Sequence, residues 1–98
     1  MRDPKLCLEY KQAYEKSIEI MQIVDRSYLM ISRALEILNE IKNTRGIRFR
    51  TNVSIVREEM TKVLDHLKNL KNSTLSLSSD LILDSIDAEC IDIKFRVE

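Results

Sequence analysis

The stretch that decides the fold is residues 6–41, LCLEYKQAYEKSIEIMQIVDRSYLMISRALEILNEI. Positions spaced alternately four and three residues apart within it are nearly all apolar, and only two of them are serines. A repeat averaging 3.5 residues keeps one apolar strip of an α-helix facing a partner helix along its whole length. The stretch therefore predicts one long helix. The members of this strip are Leu6, Tyr10, Ala13, Ser17, Ile20, Val24, Ser27, Ile31, Ala34, Leu38 and Ile41.

More apolar side chains flank this strip on both sides, so the apolar face of the helix is wide. A face of this width exceeds what one neighbouring helix covers, and it is typical of helical bundles and multi-chain assemblies. We therefore expect a surface that binds other helices. One flank consists of Cys7, Tyr14, Met21, Tyr28 and Leu35, and the other of Ile23, Met30 and Ile37.

The composition supports an all-α class. The chain of 98 residues has one glycine, one proline, no tryptophan and a third of its residues charged, which leaves few residues suited to turns. A single domain of this size buries only about two-thirds of its unfolded surface, so contacts with another chain would add needed stability. We predict an all-α, coiled-coil-like antiparallel hairpin that completes a bundle by oligomerisation.

Capping residues suggest where the two main helices begin and end. Asp3 is placed to cap a first helix over about 3–43, with Pro4 in its first turn. Gly46 suits the left-handed conformation that ends a helix, and the turn would cover 44–51. A second helix over about 52–72 follows, because the apolar spacing resumes there. Its apolar residues are Val53, Val56, Met60, Val63, Leu67 and Leu70, with Leu64 beside them.

Two segments after residue 72 each allow two interpretations, the first about helix continuity and the second about a strand. Either the second helix continues to about residue 89, or it breaks near Asn72 and a third helix covers about 78–90. The serines and threonines of 73–79 favour the break, because they prefer caps and turns. Residues 91–97 alternate apolar and charged side chains like a strand, which would pair with residues 47–50 or with a sheet edge of another protein. The alternative is a helix end or a frayed tail.

The cysteines and the apolar runs bear on the compartment. Cys7 and Cys90 lack the spacing of a metal or redox motif, and no basic-then-apolar leader is present. We expect two reduced thiols, although a hairpin would bring both to its open end and allow a bridge. This reasoning predicts an intracellular protein, cytoplasmic or nuclear. Every uninterrupted apolar run is far too short to span a bilayer, so no membrane insertion is expected.

The functional prediction is a non-enzymatic adaptor, scaffold or structural subunit of an intracellular multiprotein assembly, either a homo-oligomer or part of a hetero-complex. Its partners would be helical chains, and Tyr28 is expected to contribute most, because a tyrosine buries a large face at low entropic cost. The predicted interface residues are Ile20, Val24, Tyr28, Ile31, Leu35, Leu38, Val56, Met60, Val63 and Leu67.

A basic turn offers an alternative function. Lys42, Arg45, Arg48 and Arg50 occur with no acidic residue among 41–50, so they are candidate contacts for an anion, a nucleic acid or an acidic partner. The zero net charge and the lack of an aromatic platform favour a solvated turn instead. The prediction therefore disfavours nucleic acid as the main partner.

Catalytic, metal and cofactor sites are not predicted. His66 is the only histidine, and it forms no metal-binding motif with cysteines or carboxylates. A small helical enzyme of the chorismate-mutase type would need Arg, Lys and Glu facing inward. Here the predicted inward positions are apolar, with Glu19, Arg26 and Arg33 on the opposite side. No phosphate loop or nucleophile motif is present either.

Overall fold

A computed structural model describes residues 2–42, 44 and 46–90. The regular secondary structure of this part of the chain is all helical and consists of two long helices, α1 (Pro4–Ile41) and α2 (Ile47–Asp87). The chain divides into two compact units. The open unit comprises Met1–Gln22 and Asn72–Glu98, and the turn unit comprises Ile23–Lys71. The division into units does not test the single-domain prediction, which stays a prediction.

The first turn of α1 is capped as the sequence predicts. The Oδ1 atom of Asp3 accepts hydrogen bonds from the backbone N–H of Lys5 at 3.0 Å and of Leu6 at 3.4 Å. The carbonyl of Asp3 accepts the N–H of Cys7 at 3.0 Å, which closes the first helical turn. These bonds satisfy amides that a helix start leaves without intrahelical partners, and Pro4 has no N–H to satisfy.

The connection between the helices differs from the predicted one. Thr44 bonds the carbonyl of Ile41 through both its N–H (3.0 Å) and its hydroxyl (2.6 Å), which satisfies the end of α1. Gly46 does not take a left-handed conformation, so its predicted role at the helix end is wrong. Its carbonyl instead accepts the N–H of Arg50 at 3.1 Å and begins α2. Residues 47–50 are thus helical. The prediction that they form a strand paired with residues 91–97 is therefore wrong.

The predicted break near Asn72 is also wrong, and so is the separate third helix over 78–90. Helix α2 is continuous through the segment rich in serine and threonine. The hydroxyl of Ser78 donates to the carbonyl of Thr74 at 2.9 Å, and that of Ser85 donates to Leu81 at 2.7 Å. Hydroxyls that bond to the preceding turn remain compatible with a helix. Residues 91–98, the predicted strand, lie outside the described residues.

The end of α2 is held by a specific backbone cap. Glu89 has a positive φ of 59°. Its N–H donates to the carbonyl of Ile86 at 3.0 Å, and the N–H of Cys90 donates to Ser85 at 2.7 Å. This pair of bonds is the Schellman arrangement, in which a left-handed residue turns the chain away from the helix axis. The cap directs Cys90 back toward α1.

Cys7 and Cys90 form a disulfide in the open unit, with 5.3 Å between their Cα atoms. The expectation of two reduced thiols is therefore wrong. The hairpin brings the beginning of α1 beside the end of α2, and the cap at Glu89 places Cys90 within bonding distance. The prediction of an intracellular compartment therefore loses the support of reduced cysteines.

In the turn unit, the two helices face each other along an inner seam that is only partly the predicted one. Burial in α2 follows a strict alternation of four and three residues, but it selects Arg57, Leu64 and Lys71 where the sequence predicted Val56, Val63 and Leu70. The inward positions of α2 are thus polar in part, whereas the predicted ones were all apolar. The inner-seam residues of this unit are Val24, Tyr28, Ile31, Leu35 and Leu38 of α1 with Val53, Arg57, Met60, Leu64, Leu67 and Lys71 of α2.

The seam of the open unit is more polar. Ser17, Thr74, Ser78 and Ser85 are all buried there. The hydroxyls of Ser17 and Ser78 lie 2.7 Å apart, and Ser17 also donates to the carbonyl of Tyr14 at 2.6 Å. Each of these three serine hydroxyls has a carbonyl acceptor in its own helix, and the contact between Ser17 and Ser78 also links the two helices.

Candidate docking surface

The main unpartnered feature of the turn unit is a second apolar strip on α1, which we call the outer seam. Its members are again spaced alternately four and three residues apart, so they form a continuous line along the helix. The large side chains are exposed, most of all Met30 with 73% of its surface accessible, while the two small residues are half-buried. The outer seam consists of Ile23, Ser27, Met30, Ala34, Ile37 and Ile41.

Helix α2 adds a matching apolar row in the same unit, formed by Val56, Val63 and Leu70. All three are exposed. Each follows an inner-seam residue by three positions, as Ser27 and Ala34 do in α1. Two antiparallel helices are related by an approximate twofold axis perpendicular to their common plane, so equivalent positions lie on the same side of the pair. The outer seam and this row therefore form one face, which we call the docking face.

The opposite side of the inner seam is covered by charged side chains. The Nζ of Lys71 lies 2.7 Å from the Oδ1 of Asp25, which joins the two helices. The Nζ of Lys68 lies 5.9 Å from the centre of the Tyr28 ring, within the range of a cation–π contact. These long side chains cover apolar surface with their methylene groups while keeping their charges in water. The two sides of the turn unit thus differ in chemistry, one charged and one apolar.

Leu29 and Met30 are two exposed apolar residues that lie on different sides of α1. They are adjacent in sequence and almost equally exposed, at 69% and 73%. Consecutive helical residues are about 100° apart around the axis. Met30 lies on the docking face, whereas Leu29 lies toward the side of Asp25 and Lys68. The pair offers a matched comparison of position at nearly constant exposure.

The predicted interface residues separate into two groups. Those in the inner seam are buried or half-buried within the single chain, and they are Val24, Tyr28, Ile31, Leu35, Leu38, Met60 and Leu67. The exposed ones are Ile20, Val56 and Val63. Val56 and Val63 belong to the docking face, and Ile20 lies in the open unit. Their role in binding another chain stays a prediction.

Sequence reasoning assigned the docking face only in part. It placed Ser27, Ala34 and Ile41 in the inward strip and treated Met30 and Ile37 as a flank. The structure turns these residues outward, because the inner seam uses Tyr28 and Leu35 instead. The signal was present, since the outer seam has a complete repeat of its own. Two overlapping repeats on one helix do not reveal which of them faces the partner helix.

The described residues of the basic turn are spread over the end of α1 and the start of α2, and their role as an anion or partner contact stays a prediction. Lys42 follows the end of α1, whereas Arg48 and Arg50 lie in the first turns of α2. Two residues two positions apart on a helix point about 200° apart around its axis. Arg48 and Arg50 therefore do not converge on one anion. They also stand at the positive end of the α2 dipole, which is an unfavourable position for cations. Arg45 lies outside the described residues.

The described residues also lack a metal-binding cluster and a membrane-spanning helix. They contain no group of three or more His, Cys, Asp or Glu side chains placed to hold a metal ion. Neither described helix combines the length and apolarity needed to cross a membrane. Comparisons with protein-family models, curated proteins and solved structures found no match to this chain.

Proposed function

We propose that this protein is a non-enzymatic adaptor or structural subunit that binds helices of another chain through its docking face. The observation that carries the proposal is the repeat of the outer seam, which continues for nearly three heptads, is apolar at all its positions but Ser27 and leaves its large side chains exposed. Together with the row on α2, its exposed side chains present on the order of 600 Å² of apolar surface. This is the upper end of the range for the largest apolar patch on a typical monomeric protein, about 300–600 Å², and such patches are often functional.

The regular spacing specifies the kind of partner. Side chains repeated at 3.5-residue intervals form knobs and holes that fit the same pattern on another helix. A small ligand would instead need a concave site with a few convergent polar groups. The docking face is a row of protruding side chains, so a helical partner fits it best.

The disulfide bears on the compartment in which this adaptor would work. Disulfides persist in oxidising compartments and are rare where thiols are kept reduced. The bond between Cys7 and Cys90 supports an adaptor that works in an oxidising compartment, in place of the cytoplasmic or nuclear setting expected from the sequence.

A thiol-labelling experiment tests whether the docking face is covered. Since the two native cysteines are bonded, Met30→Cys introduces the only free thiol, and Leu29→Cys provides a control of nearly equal exposure. Maleimide labelling without reductant is measured in extracts of the cells that naturally produce the chain. We expect Met30→Cys to react at least tenfold more slowly than Leu29→Cys. Equal labelling of both variants in the extract and in the purified protein would refute the proposal.

A further inference from the structure

We infer that the occupant of the docking face is a second copy of this chain, with the two α1 helices packed antiparallel along their outer seams. This inference rests on the proposed function and names its partner. Three observations carry it: the alternation of large and small side chains along the outer seam, the charges at its edge, and the area of the docking face.

The outer seam complements itself when one copy is reversed. Its large residues Ile23, Met30 and Ile37 repeat every seven positions, and the smaller Ser27 and Ala34 lie between them. In an antiparallel pair centred between Met30 and Ala34, Met30 of each copy lies opposite Ala34 of the other. Ile37 then lies opposite Ser27. Met30 and Ile37 thus each meet a small side chain, which fills space between two helices, while Ile23 of one copy meets Ile41 of the other at the ends of the seam.

The charges beside the outer seam select the antiparallel direction. Arg26, Arg33 and Glu40 occupy the flanking row, three positions after the large residues of the seam. With the same centre, Arg26 of one copy lies within about two residues, or roughly 3 Å along the axis, of Glu40 of the other. The Arg26–Glu40 pairing occurs twice in the dimer. Only the two Arg33 residues, near the centre, lie beside a like charge. A parallel pair would place like charges together at all three positions, which disfavours it.

The area of the docking face suits a dimer. Two faces of on the order of 600 Å² bury roughly 1,200 Å² in total, which is the lower end of the range for stable, specific interfaces. The reversed copy also brings its α2 row toward Val56, Val63 and Leu70, so four helices would enclose one apolar core. A single added helix would leave part of this row exposed.

Sedimentation of the purified, oxidised chain tests the inference. We expect a mass of two chains at micromolar concentration. Met30→Glu should weaken the dimer at least a hundredfold, because the carboxylate would be buried, while Leu29→Glu should leave it intact. Both residues are exposed in the single chain, so circular dichroism should show unchanged helix content in both variants.

Charge exchange tests the direction of packing. Arg26→Glu and Glu40→Arg should each weaken the dimer several-fold, and the double variant should restore it. Failure of the double variant to recover would overturn the antiparallel pairing.

The outcomes separate this inference from the proposed function. Suppose that the chain sediments as a monomer and that Met30→Cys is labelled freely when purified but is protected in extract. This result would overturn the inference of a second copy, and the proposed function would then require a different helical partner. A dimer that tolerates Met30→Glu would place the contact elsewhere and overturn the inference. If the chain is a monomer and Met30→Cys is labelled freely both when purified and in extract, the proposed function and the inference are both overturned.

Discussion

The pair of Ser17 and Ser78 is the most specific contact between single residues in the open unit. Both are buried, and each hydroxyl also lies within hydrogen-bonding distance of a carbonyl one turn earlier. Two hydroxyl protons serve three contacts, so the pair forms one connected network. Removing one hydroxyl leaves the other with a single partner in a buried place, which costs more than an average exposed hydrogen bond.

We predict that Ser17→Ala and Ser78→Ala each lower the free energy of unfolding by about 1 kcal/mol. The double variant should lose less than the sum, because the second substitution removes a contact already broken. Urea denaturation of the four proteins measures this cycle. Ser76→Ala, at an exposed position of α2, is the control and should be neutral or slightly stabilising, since alanine favours helix. Strictly additive effects would show that the two hydroxyls do not interact.

At the scale of the element, the end of α2 depends on a residue in an unfavourable conformation. Glu89 has a Cβ atom that crowds the left-handed region, and glycine is the usual residue at this position of a Schellman cap. The two cap hydrogen bonds and the neighbouring disulfide hold the backbone of Glu89 in this left-handed conformation. The helix end is therefore held by its surroundings and not by local preference.

Glu89→Gly should raise the free energy of unfolding by about 0.5–1 kcal/mol, because glycine removes the strain of the positive φ. Asp87→Gly, at the last residue of α2, is the matched control. It should lower stability by a similar amount, since glycine is a poor helix former there. Chemical denaturation of the oxidised proteins checks both. A loss of stability in Glu89→Gly would mean that the glutamate side chain contributes more than its backbone strain costs.

At the scale of the whole molecule, the disulfide joins residues 83 positions apart and so closes nearly the entire chain into a loop. Closing a loop of this length lowers the entropy of the unfolded chain, and the chain-entropy relation gives about 4–5 kcal/mol of stabilisation. The described residues bury few large side chains completely. A contribution of this size would therefore be a large part of the stability of a single copy.

Reduction should lower the free energy of unfolding by about 4 kcal/mol in the chain-entropy estimate. Guanidinium denaturation with and without a phosphine reductant measures the change. The double variant Cys7→Ser with Cys90→Ser should match the reduced protein and show no response to reductant. Identical unfolding of oxidised and reduced wild type would contradict the prediction. All samples need the same protein concentration, because dimer formation also raises apparent stability.

Part of the fold follows from local sequence signals. Asp3 and Pro4 indicate where α1 begins, because a side-chain oxygen next to a residue without an N–H suits a helix start and little else. The heptad spacing of residues 6–41 indicates a continuous helix for a similar reason, since the repeat is long. The continuity of α2 through residues 73–79 did not follow, because serines and threonines favour turns unless their hydroxyls bond backward and pack against a neighbour.

The sequence by itself determined that α1 is long, where it starts, and that it carries more apolar surface than one strip. Only the tertiary structure decided which strip faces inward. Periodicity records the spacing of side chains but not the rotation of a helix about its axis, and two overlapping repeats are equally regular. That rotation is set by the partner helix: Arg57, Lys71 and Ser78 of α2 lie inward, and the resulting fit leaves Met30 and Ile37 in water.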